Sequence, residues 1–321
     1  MKIIKDKKIF IDMNGRLGNQ LFQYAFARKI YSLGNYKILI DFTNVIKTGE
    51  KLGEPNKFVD ELKNFNCMEY ETKNKNGYLI KKYGTKKQKL LIKIYFTIRK
   101  LNRFILKRNL LNKYQLLMQK NGIYKEDETN ITLFGKYKSN VFIKGYFENP
   151  MFFDDIKNQL QKEFVPKYPV LKHNLDLYKI ITKKESVCVS FRSWNELKNV
   201  NIDEYNNRNV CTKEYYEKAM QKMQALHPNS IFIIFSDDID FVKRHFSFTY
   251  PVIFEHGDDP VYEKLRLMYS CKHFIMSTST FSWWSQYLCK NDNKTVISPN
   301  KWFSNGKDSK LLLKDWIKIE V

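Results

Sequence analysis

Two loops in the second half of the sequence carry residues suited to binding a phosphate. The apolar run VCVSF, residues 187–191, predicts a strand that ends just before Arg192. In open α/β sheets, ligands bind beyond the carboxyl ends of the strands, and the planar fork of an arginine there can hold a phosphate at two points. A surface salt bridge is an equally good interpretation of Arg192 from its spacing alone.

The second loop is STSTFSWW, residues 277–284, which stands between a predicted strand and a predicted helix. Backbone N–H groups and hydroxyl side chains at a helix N-terminus bind anions, and the helix dipole favours negative charge there. Ser279 and Thr280 contribute hydroxyls at this junction. Together with Arg192 they favour a nucleotide diphosphate as ligand.

Ser236, Asp237 and Asp238 follow another predicted strand, in IFSDDID. Paired acids can bind a metal ion, but Ser or Asp before a helix most often caps it, and we favour capping. The five cysteines include no CxxC pair and no histidine at metal-ligand spacing, so they are predicted to be reduced thiols. No metal site is predicted.

A glycine loop, GRLGNQ at residues 15–20, precedes the first predicted helix. It is not a phosphate-binding Walker loop, because no Gly-Lys-Ser/Thr follows, and it lacks the third glycine of GxGxxG. Gly15 and Gly18 still permit an unusual turn. Asn19 and Gln20 can either cap the helix or hydrogen-bond sugar hydroxyls, and the sequence leaves both open.

These loops belong to two alternations of strands and helices. IFIDM, a helix over residues 19–33 and KILIDF open the chain, and a second alternation begins at ESVCVSF. This order predicts parallel sheets with crossover helices. A linker at VPKYP leads us to predict an N-terminal α/β domain over residues 1–165 and a C-terminal α/β domain over residues 170–321, facing a central cleft.

The net charge of +22 is concentrated in a basic insert at about residues 70–125 of the first domain. Sixteen Lys and Arg and no Asp or Glu occur between Lys73 and Lys125, which leaves +6 for the rest of the chain. Apolar residues recurring every three or four positions predict an amphipathic basic helix over about residues 89–107. They are Leu90, Ile94, Ile98, Leu101 and Ile105, with Lys89, Lys93, Lys100, Arg103 and Lys107 largely on other faces.

Three interpretations of this helix stay open. It can pack on its own core with a solvated basic face, dock on an anionic bilayer, or bind RNA, although no recognised nucleic-acid module supports the last. No run approaches the roughly 18 apolar residues of a membrane span, and the apolar run near Met1 is too short for a signal peptide. The sequence therefore predicts a cytoplasmic protein, with peripheral contact at the inner face of the cytoplasmic membrane if the helix binds lipid.

Three motifs make the sequence similar to the α-1,2-fucosyltransferases of glycosyltransferase family 11, and more distantly to the protein O-fucosyltransferases. GRLGNQLFQYAFAR resembles the family's opening motif, KGYFENPMFF its mid-chain segment, and LRLMYSCKHFIMSTSTFSWW its most specific C-terminal motif. The motifs stand in family order over nearly the whole chain, and the basic insert resembles the family least. The resemblance implies a GT-B fold of two Rossmann-like domains, with GDP-fucose held mainly by the second.

By the same resemblance, Arg192 would grip the β-phosphate, the turn of residues 279–281 would hold the pyrophosphate, and Asn19, with Arg16, would orient the sugar or the acceptor. The residues predicted to act in catalysis are Arg192 and Asn19. The residues predicted to bind the donor are Arg16, Gly18, Ser190, Ser236, Asp237, Glu263, Ser279, Thr280 and Phe281.

The sequence departs from the family pattern in two places. The family's HxRRxD motif falls on residues 190–195, where Ser190, Ser193 and Asn195 replace His, the second Arg and Asp. The acid implied to recognise guanine usually precedes the Leu of LRLM. Here Lys264 has that position, and Glu263 lies one residue earlier, about 100° around a helix.

These inferences predict an inverting, metal-independent glycosyltransferase that moves L-fucose from GDP-fucose to the 2-hydroxyl of a terminal β-galactoside. The acceptor would be an oligosaccharide or lipid-linked glycan of the cell surface, such as the O-antigen of lipopolysaccharide. No cofactor and no nucleic-acid partner is predicted. The alternatives are an enzyme of the same fold with a different nucleotide sugar or acceptor, and a non-catalytic glycan- or nucleic-acid-binding protein.

Overall fold

The computed structural model describes residues 7–73, 79–102, 108–125, 131–194, 197 and 201–321, with the side chains at 101, 102 and 108–111 outside that description. The chain forms two compact units, Met1–Leu62 with Cys67–Gln159, and Lys63–Asn66 with Leu160–Val321. The short stretch Lys63–Asn66 joins the second unit because its backbone pairs there. Asn66 N donates to Val165 O at 3.0 Å, and Lys167 N donates to Asn64 O at 2.9 Å.

The first unit is built on a parallel sheet of five strands: β1 (Lys8–Asp12), β2 (Lys37–Asp41), β3 (Tyr70–Lys73), β4 (Ile123–Lys125) and β5 (Val141–Lys144). The strands lie in the order β3-β2-β1-β5-β4. Ile9, Phe10 and Ile11 of β1 are all buried, as expected for a parallel strand covered on both faces. Its helices are α1 (Leu17–Ser32), α2 (Thr43–Leu52), α3 (Leu79–Tyr83), α4 (Lys86–Asn102) and α5 (Arg108–Lys120), and α6 (Lys157–Glu163) follows.

The second unit contains six parallel strands: β6 (Glu185–Phe191), β7 (Ser230–Ser236), β8 (Val252–Phe254), β9 (His273–Ile275), β10 (Val296–Pro299) and β11 (Ile317–Ile319). They lie in the order β11-β10-β9-β6-β7-β8. The helices are α7 (Leu175–Lys183), α8 (Ile202–Arg208), α9 (Lys213–Leu226), α10 (Ile239–His245), α11 (Val261–Ser270) and α12 (Thr280–Leu288). Val187 and Val189 of β6 pack with Tyr215 and Ala219 of α9 in the core.

The expected α/β architecture of two parallel, Rossmann-like sheets is confirmed. The opening strand, helix and strand are present, and α1 begins at Leu17, two residues before the predicted start at residue 19. A strand that the sequence did not predict, β11, follows β10 and pairs with it in parallel. Cys188 and Cys271 are buried free thiols in the core.

The basic insert differs from its prediction. Its described residues include three helices, α3, α4 and α5, and the predicted positions Arg103, Ile105 and Lys107 lie outside the described residues. The α4 helix packs on its own core, but through Leu91 and Tyr95. The predicted apolar stripe is not the core face, because Leu90 and Ile94 are exposed.

Candidate active site

The strand order of the second sheet reverses between β6 and β9. These strands are neighbours, with Cys188 opposite Phe274, and the strands that follow each of them in the chain lie on opposite sides. Ligands of open parallel sheets bind in the crevice beyond the carboxyl ends at such a reversal. The two loops predicted to bind phosphate leave β6 and β9 at this point. The second loop also contacts the end of β6, since the hydroxyls of Ser190 and Ser277 are 3.2 Å apart.

Arg192 is held at this edge by an ion pair with Asp237, which follows the next strand, β7. The Asp237 carboxylate also accepts hydrogen bonds from Ser193, 2.9 Å from its backbone N and 3.0 Å from its Oγ. Arg192 therefore does form a salt bridge, but its side chain is only 9% exposed, so this is not the solvated surface pair considered from the sequence. One carboxylate fixes both the arginine and its loop.

The capping interpretation of the acidic stretch is confirmed for Asp238. Its carboxylate accepts from Phe241 N at 2.9 Å and caps α10. Ser236 supports the same turn, because its hydroxyl accepts from Asp238 N at 3.0 Å. The two adjacent acids thus have different partners: Asp238 caps a helix, and Asp237 positions Arg192.

The residues of the hydroxyl-rich loop after β9 likewise have two different roles. Thr278 is buried and donates to Arg208 O at 3.0 Å, so with Ser277 it holds the loop in place. Ser279 is the N-terminal cap residue of α12, with no side-chain capping hydrogen bond, and Thr280 and Phe281 begin the helix. Trp283 and Trp284 are fully buried core residues. The N-terminus of α12 therefore lies in the loop that the sequence predicts to bind phosphate.

Arg208, at the end of α8, is a second cation at this edge that the sequence did not indicate. Both guanidiniums lie near the indole ring of Trp194, whose centre is 4.4 Å from Arg192 Cζ and 5.1 Å from Arg208 Cζ. The neighbouring Asn207 O accepts from Ser304 N at 2.9 Å, which ties α8 to the loop after β10. The α8 helix lies in the crossover between β6 and β7, so only the tertiary fold brings Arg208 to these strand ends.

A cavity of about 170 Å³ adjoins Arg192 and Ser236 and is lined also by Lys213, Tyr216 and Cys211. Burial raises the pKa of the Cys211 thiol to about 12. The thiol is therefore protonated at neutral pH and is not a nucleophile. Burial likewise raises the pKa of Tyr216 well above its usual value, so the lining carries neutral hydrogen-bonding groups beside the cations Arg192 and Lys213.

Glu263 is fully buried and bonded within the protein. Its carboxylate accepts from Leu171 N at 3.0 Å and from Arg266 Nε at 2.9 Å. Lys264 is also engaged, because its ammonium donates to Glu255 Oε1 at 3.0 Å. Both residues of the altered guanine motif therefore hold the start of α11, and guanine recognition by Glu263 stays a prediction.

Glu185, His227 and His273 form a cluster of potential metal ligands at the amino end of the second sheet. His273 Nδ1 accepts from Thr295 N at 2.9 Å, so Nε2 carries the proton and donates to Glu185 at 2.5 Å. That tautomer leaves no ring lone pair for a metal ion. Glu185 begins β6, about 23 Å of extended strand from Arg192, so the cluster is a structural network remote from the phosphate loops.

In the first unit, the glycine loop uses its amides internally. Gln20 is fully buried, with Nε2 donating to Val59 O at 2.8 Å and to Gly15 O at 3.1 Å. The interpretation of Gln20 as a helix cap or sugar ligand is therefore wrong. Gly15 has a φ of +73°, and a Cβ there would lie 2.4 Å from Asn19 Nδ2. The loop thus needs glycine to accommodate Asn19.

The N-terminal cap of α1 is Arg16, so Asn19 is the third helical residue and Gly18, which is buried, the second. The Arg16 guanidinium lies 5.7 Å from the ring centre of Phe58. Arg16 and Asn19 are both partly exposed at the carboxyl end of β1. The first unit therefore holds three of the predicted residues together, at the start of α1.

In the first sheet, β1 and β5 are neighbouring strands whose carboxyl ends meet at one edge. At this edge Lys144 Nζ lies 3.7 Å from Asp12 Oδ2. A cavity of about 40 Å³ is lined by these two side chains, Lys125 and apolar residues. Burial raises the pKa of Asp12, against the opposing effect of Lys144. Sequence inspection missed this site because each charged residue terminates a different strand.

The sequence profile of glycosyl transferase family 11 matches residues 8–320. The chain belongs to glycosyl transferase family 11. Among curated relatives, the O-antigen biosynthesis glycosyltransferase WbnK of Escherichia coli is 26% identical, over 96% of this chain and 99% of the relative. The alpha-1,2-colitosyltransferase of Escherichia coli is also 26% identical, over 95% of this chain and 97% of the relative.

Solved fucosyltransferases share the fold. NodZ alpha-1,6-fucosyltransferase, in crystals soaked with GDP-fucose, aligns with a TM-score of 0.53 and 10% identity, covering 92% of this chain and 96% of that one. Fucosyltransferase NodZ from Bradyrhizobium aligns with a TM-score of 0.50 and 11% identity, covering 88% and 93%. This family 11 chain therefore has the GT-B-type architecture of two Rossmann-like units. No helix among its described residues is long and apolar enough to cross a bilayer.

Proposed function

We propose that this family 11 glycosyltransferase moves L-fucose from GDP-fucose to the 2-hydroxyl of a terminal β-galactoside. The observation that carries the proposal is Arg192, which Asp237 holds at the reversal point of the second sheet, next to the loop that begins α12. A buried guanidinium and a helix N-terminus on adjacent loops suit a diphosphate. The names of the relatives, an O-antigen glycosyltransferase and an alpha-1,2-colitosyltransferase, support transfer to a cell-surface glycan.

In the proposed reaction, the acceptor oxygen bonds to C1 of the sugar on the face opposite the phosphate while the C1–O bond to the β-phosphate breaks. The electron pair of that bond leaves with GDP, the hydroxyl proton goes to solvent, and the configuration at C1 is inverted. GDP gains one negative charge in this step. Arg192 and the N-terminus of α12 would stabilise that charge without a metal ion.

Arg208 would supply a second positive charge to the same diphosphate. It shares the Trp194 indole with Arg192, and its carbonyl is fixed by Thr278 in the loop that precedes α12. A guanidinium has five N–H donors, and the Nε of Arg208 is the one that bonds to Glu204. This arrangement supports a role for Arg208 beside a ligand that carries more than one charge.

The first unit would bind the acceptor, an oligosaccharide or lipid-linked glycan. Asn19 and Arg16 would contact sugar hydroxyls from the start of α1, near the carboxylate of Asp12. Amide, guanidinium and carboxylate groups match the donors and acceptors of a polyhydroxylated ligand. An acceptor of this kind is consistent with a protein that works in the cytoplasm, at the inner face of the cytoplasmic membrane.

A second candidate is transfer of a different deoxy sugar. One relative is named for colitose rather than fucose, and Glu263 and Lys264 are both engaged within the protein. The donor's base or sugar would then be read by other groups. Thermal stabilisation by a series of nucleotide sugars separates this candidate from the first, because the true donor should raise the melting temperature most.

The deciding experiment measures GDP release and product formation from GDP-fucose with a simple β-galactoside, in buffer containing EDTA. We expect turnover in EDTA, an α-1,2 linkage by NMR, and loss of turnover in Arg192→Ala. Arg244→Ala serves as the matched control, since Arg244 is an exposed arginine of the same unit.

Turnover that needs a divalent cation would overturn the metal-independent mechanism. Turnover that survives Arg192→Ala would remove Arg192 from the phosphate site. Failure of GDP-fucose, together with stabilisation by another nucleotide sugar, would select the second candidate.

A further inference from the structure

The α4 helix has two apolar faces, and only one of them belongs to the core. Leu91 and Tyr95 are 6% and 0% exposed and pack in the cluster that includes Phe10 of β1. Leu90 and Ile94, one turn apart, are 57% and 36% exposed. A surface helix ordinarily needs a single apolar stripe, so the outward pair requires a separate explanation.

The neighbouring helix, α5, also exposes large apolar side chains. Tyr114 of α5 donates to Leu91 O at 2.8 Å, which joins the two helices. Leu116 and Leu117 of α5 are 38% and 40% exposed. Together with Phe96, these two helices hold five of the twelve exposed large hydrophobic residues in the described part of the chain. The concentration indicates an interaction surface rather than scattered exposure.

The same outward face is strongly basic. At 100° per residue, Lys86, Lys87 and Lys93 each lie within about 60° of Leu90 or Ile94 around the helix. All three lysines are exposed. No acidic residue occurs between positions 73 and 125, so no negative charge in that stretch offsets them. Aliphatic and cationic groups are therefore mixed on one surface.

We infer that the outward face of α4 is a docking surface for an anionic lipid bilayer. Leu90 and Ile94 would enter the boundary between headgroups and acyl chains, and Lys86, Lys87 and Lys93 would lie among the lipid phosphates. The inference goes beyond the transfer reaction, and binding can be measured without a donor or an acceptor.

Two other occupants fit the surface less well. A second copy of the chain would bring one lysine face against another, and like charges repel. Single-stranded nucleic acid is held by basic grooves with aromatic side chains on which bases stack. The outward pair on α4 is aliphatic, and Leu90 and Ile94 would gain nothing from a phosphate backbone.

The test measures co-sedimentation of the full chain with vesicles of phosphatidylcholine, with and without phosphatidylglycerol. We expect binding only to the anionic vesicles. The triple variant Lys86→Glu, Lys87→Glu, Lys93→Glu should bind at least about 100-fold more weakly, since each lysine strengthens binding roughly fivefold. Leu90→Gln with Ile94→Gln should weaken binding about tenfold at high salt as well, because burial of apolar groups is not screened.

A matched control carries the same change of charge in the other unit. Lys183, Lys218 and Lys222 are exposed, and their replacement by Glu should leave vesicle binding nearly unchanged. Equal losses in the two triple variants would overturn the inference in favour of a general charge effect. It would also be overturned by vesicle binding that survives both α4 variants, by binding of oligo(U) RNA without vesicle binding, or by self-association that the α4 variants abolish.

Turnover of a soluble β-galactoside by the α4 triple variant separates this inference from the proposed function. Retained turnover with lost vesicle binding supports the docking surface. A wild-type chain that binds vesicles but transfers no sugar would refute the proposed function and leave the docking surface standing.

Discussion

The carboxyl edges of the two parallel sheets present different chemistry, and only the second sheet reverses its strand order there. In the second unit, Arg192 and Arg208 both lie near the Trp194 indole, and Thr278, in the loop before α12, bonds to Arg208 O. In the first unit, Asp12 and Lys144 share a small cavity beyond β1 and β5. The carboxyl edge of the second sheet suits an anion of high charge, whereas that of the first sheet suits a neutral ligand with many hydroxyls.

The comparison shows that some polar residues of a binding motif stabilise the motif's own structure instead of facing a ligand. In the first unit, Gln20 is buried and bonds the glycine loop at Gly15 O to the distant segment at Val59 O. In the second unit, Ser277 and Thr278 bond within the protein, and the following residues Ser279 and Thr280 stand at the helix terminus. Polar residues of one motif are thus divided between fold and site by tertiary packing.

The largest difference between the two edges is expected from a variant that removes the planar guanidinium of Arg192 but keeps its positive charge. Because lysine cannot make two parallel hydrogen bonds to a phosphate, Arg192→Lys should lower kcat/KM for GDP-fucose by about 100-fold or more. Lys144→Met, at the other edge, should change GDP affinity by less than about threefold, since no diphosphate is assigned there. Steady-state kinetics and calorimetric titration of GDP measure the two effects. Similar losses of GDP affinity in both variants would erase the distinction between the edges.

A second prediction concerns the support of the glycine loop. Gln20→Leu leaves two backbone carbonyls and the N–H of Glu61 without a buried partner, so the free energy of unfolding should fall by about 2 kcal/mol. Gln221→Leu is the matched control on the exposed face of α9 and should change it by less than about 0.5 kcal/mol. Urea denaturation gives both values. If Gln20→Leu left stability intact but weakened sugar transfer, Gln20 would be a ligand-binding residue.

Much of the fold and part of the site could be predicted from local pattern. Apolar runs such as VCVSF identify strands, and a loop at a strand end identifies where Arg192 and Ser279 lie. Asp238 as a cap follows from its place before α10. These inferences need only a few consecutive residues, because strand burial and helix capping are local properties.

The remainder depends on contacts between distant segments. Arg208 approaches Trp194 only because α8 crosses over the ends of the strands. The core face of α4 could not be chosen from the sequence either, since Leu90 with Ile94 and Leu91 with Tyr95 are both apolar pairs at helical spacing. The packing of α4 on β1 and on β4, at Ile123, decides which pair is buried.

A third prediction tests whether Arg208 acts with Arg192 at the carboxyl edge of the second sheet. Arg208→Gln should weaken GDP binding about tenfold, the effect of one lost charge-assisted hydrogen bond, and GMP binding by clearly less. Arg244→Gln, an exposed arginine on α10, is the control and should leave both affinities unchanged. Calorimetric titration with the two nucleotides gives the ratio. Equal weakening of GMP and GDP would place Arg208 away from the β-phosphate.

The smallest predicted effect is a pH dependence of the free energy of unfolding. It arises at the amino edge of the second sheet, opposite the carboxyl edge, where Glu185 and His273 stabilise the fold. Burial lowers the pKa of His273 below 6.5. The hydrogen bond from His273 to Glu185 lowers the pKa of Glu185 below 4.5. In both cases the unfolded chain takes up the proton first as the pH falls. The free energy of unfolding should therefore decrease as the pH drops below 6.5 toward the folded pKa of His273, and again below 4.5 as Glu185 titrates.

His273→Gln should flatten the first of these two decreases, by at most about 1.4 kcal/mol for each pH unit between the ordinary and the folded pKa of His273. His245→Gln, at an exposed histidine, should leave the slope unchanged. Urea denaturation at a series of pH values measures the slope, and GDP titration over the same range measures the other edge. Because about 23 Å of strand separates Glu185 from Arg192, the two edges should respond independently. A change in GDP affinity that followed the titration of His273 would show instead that β6 couples its two ends.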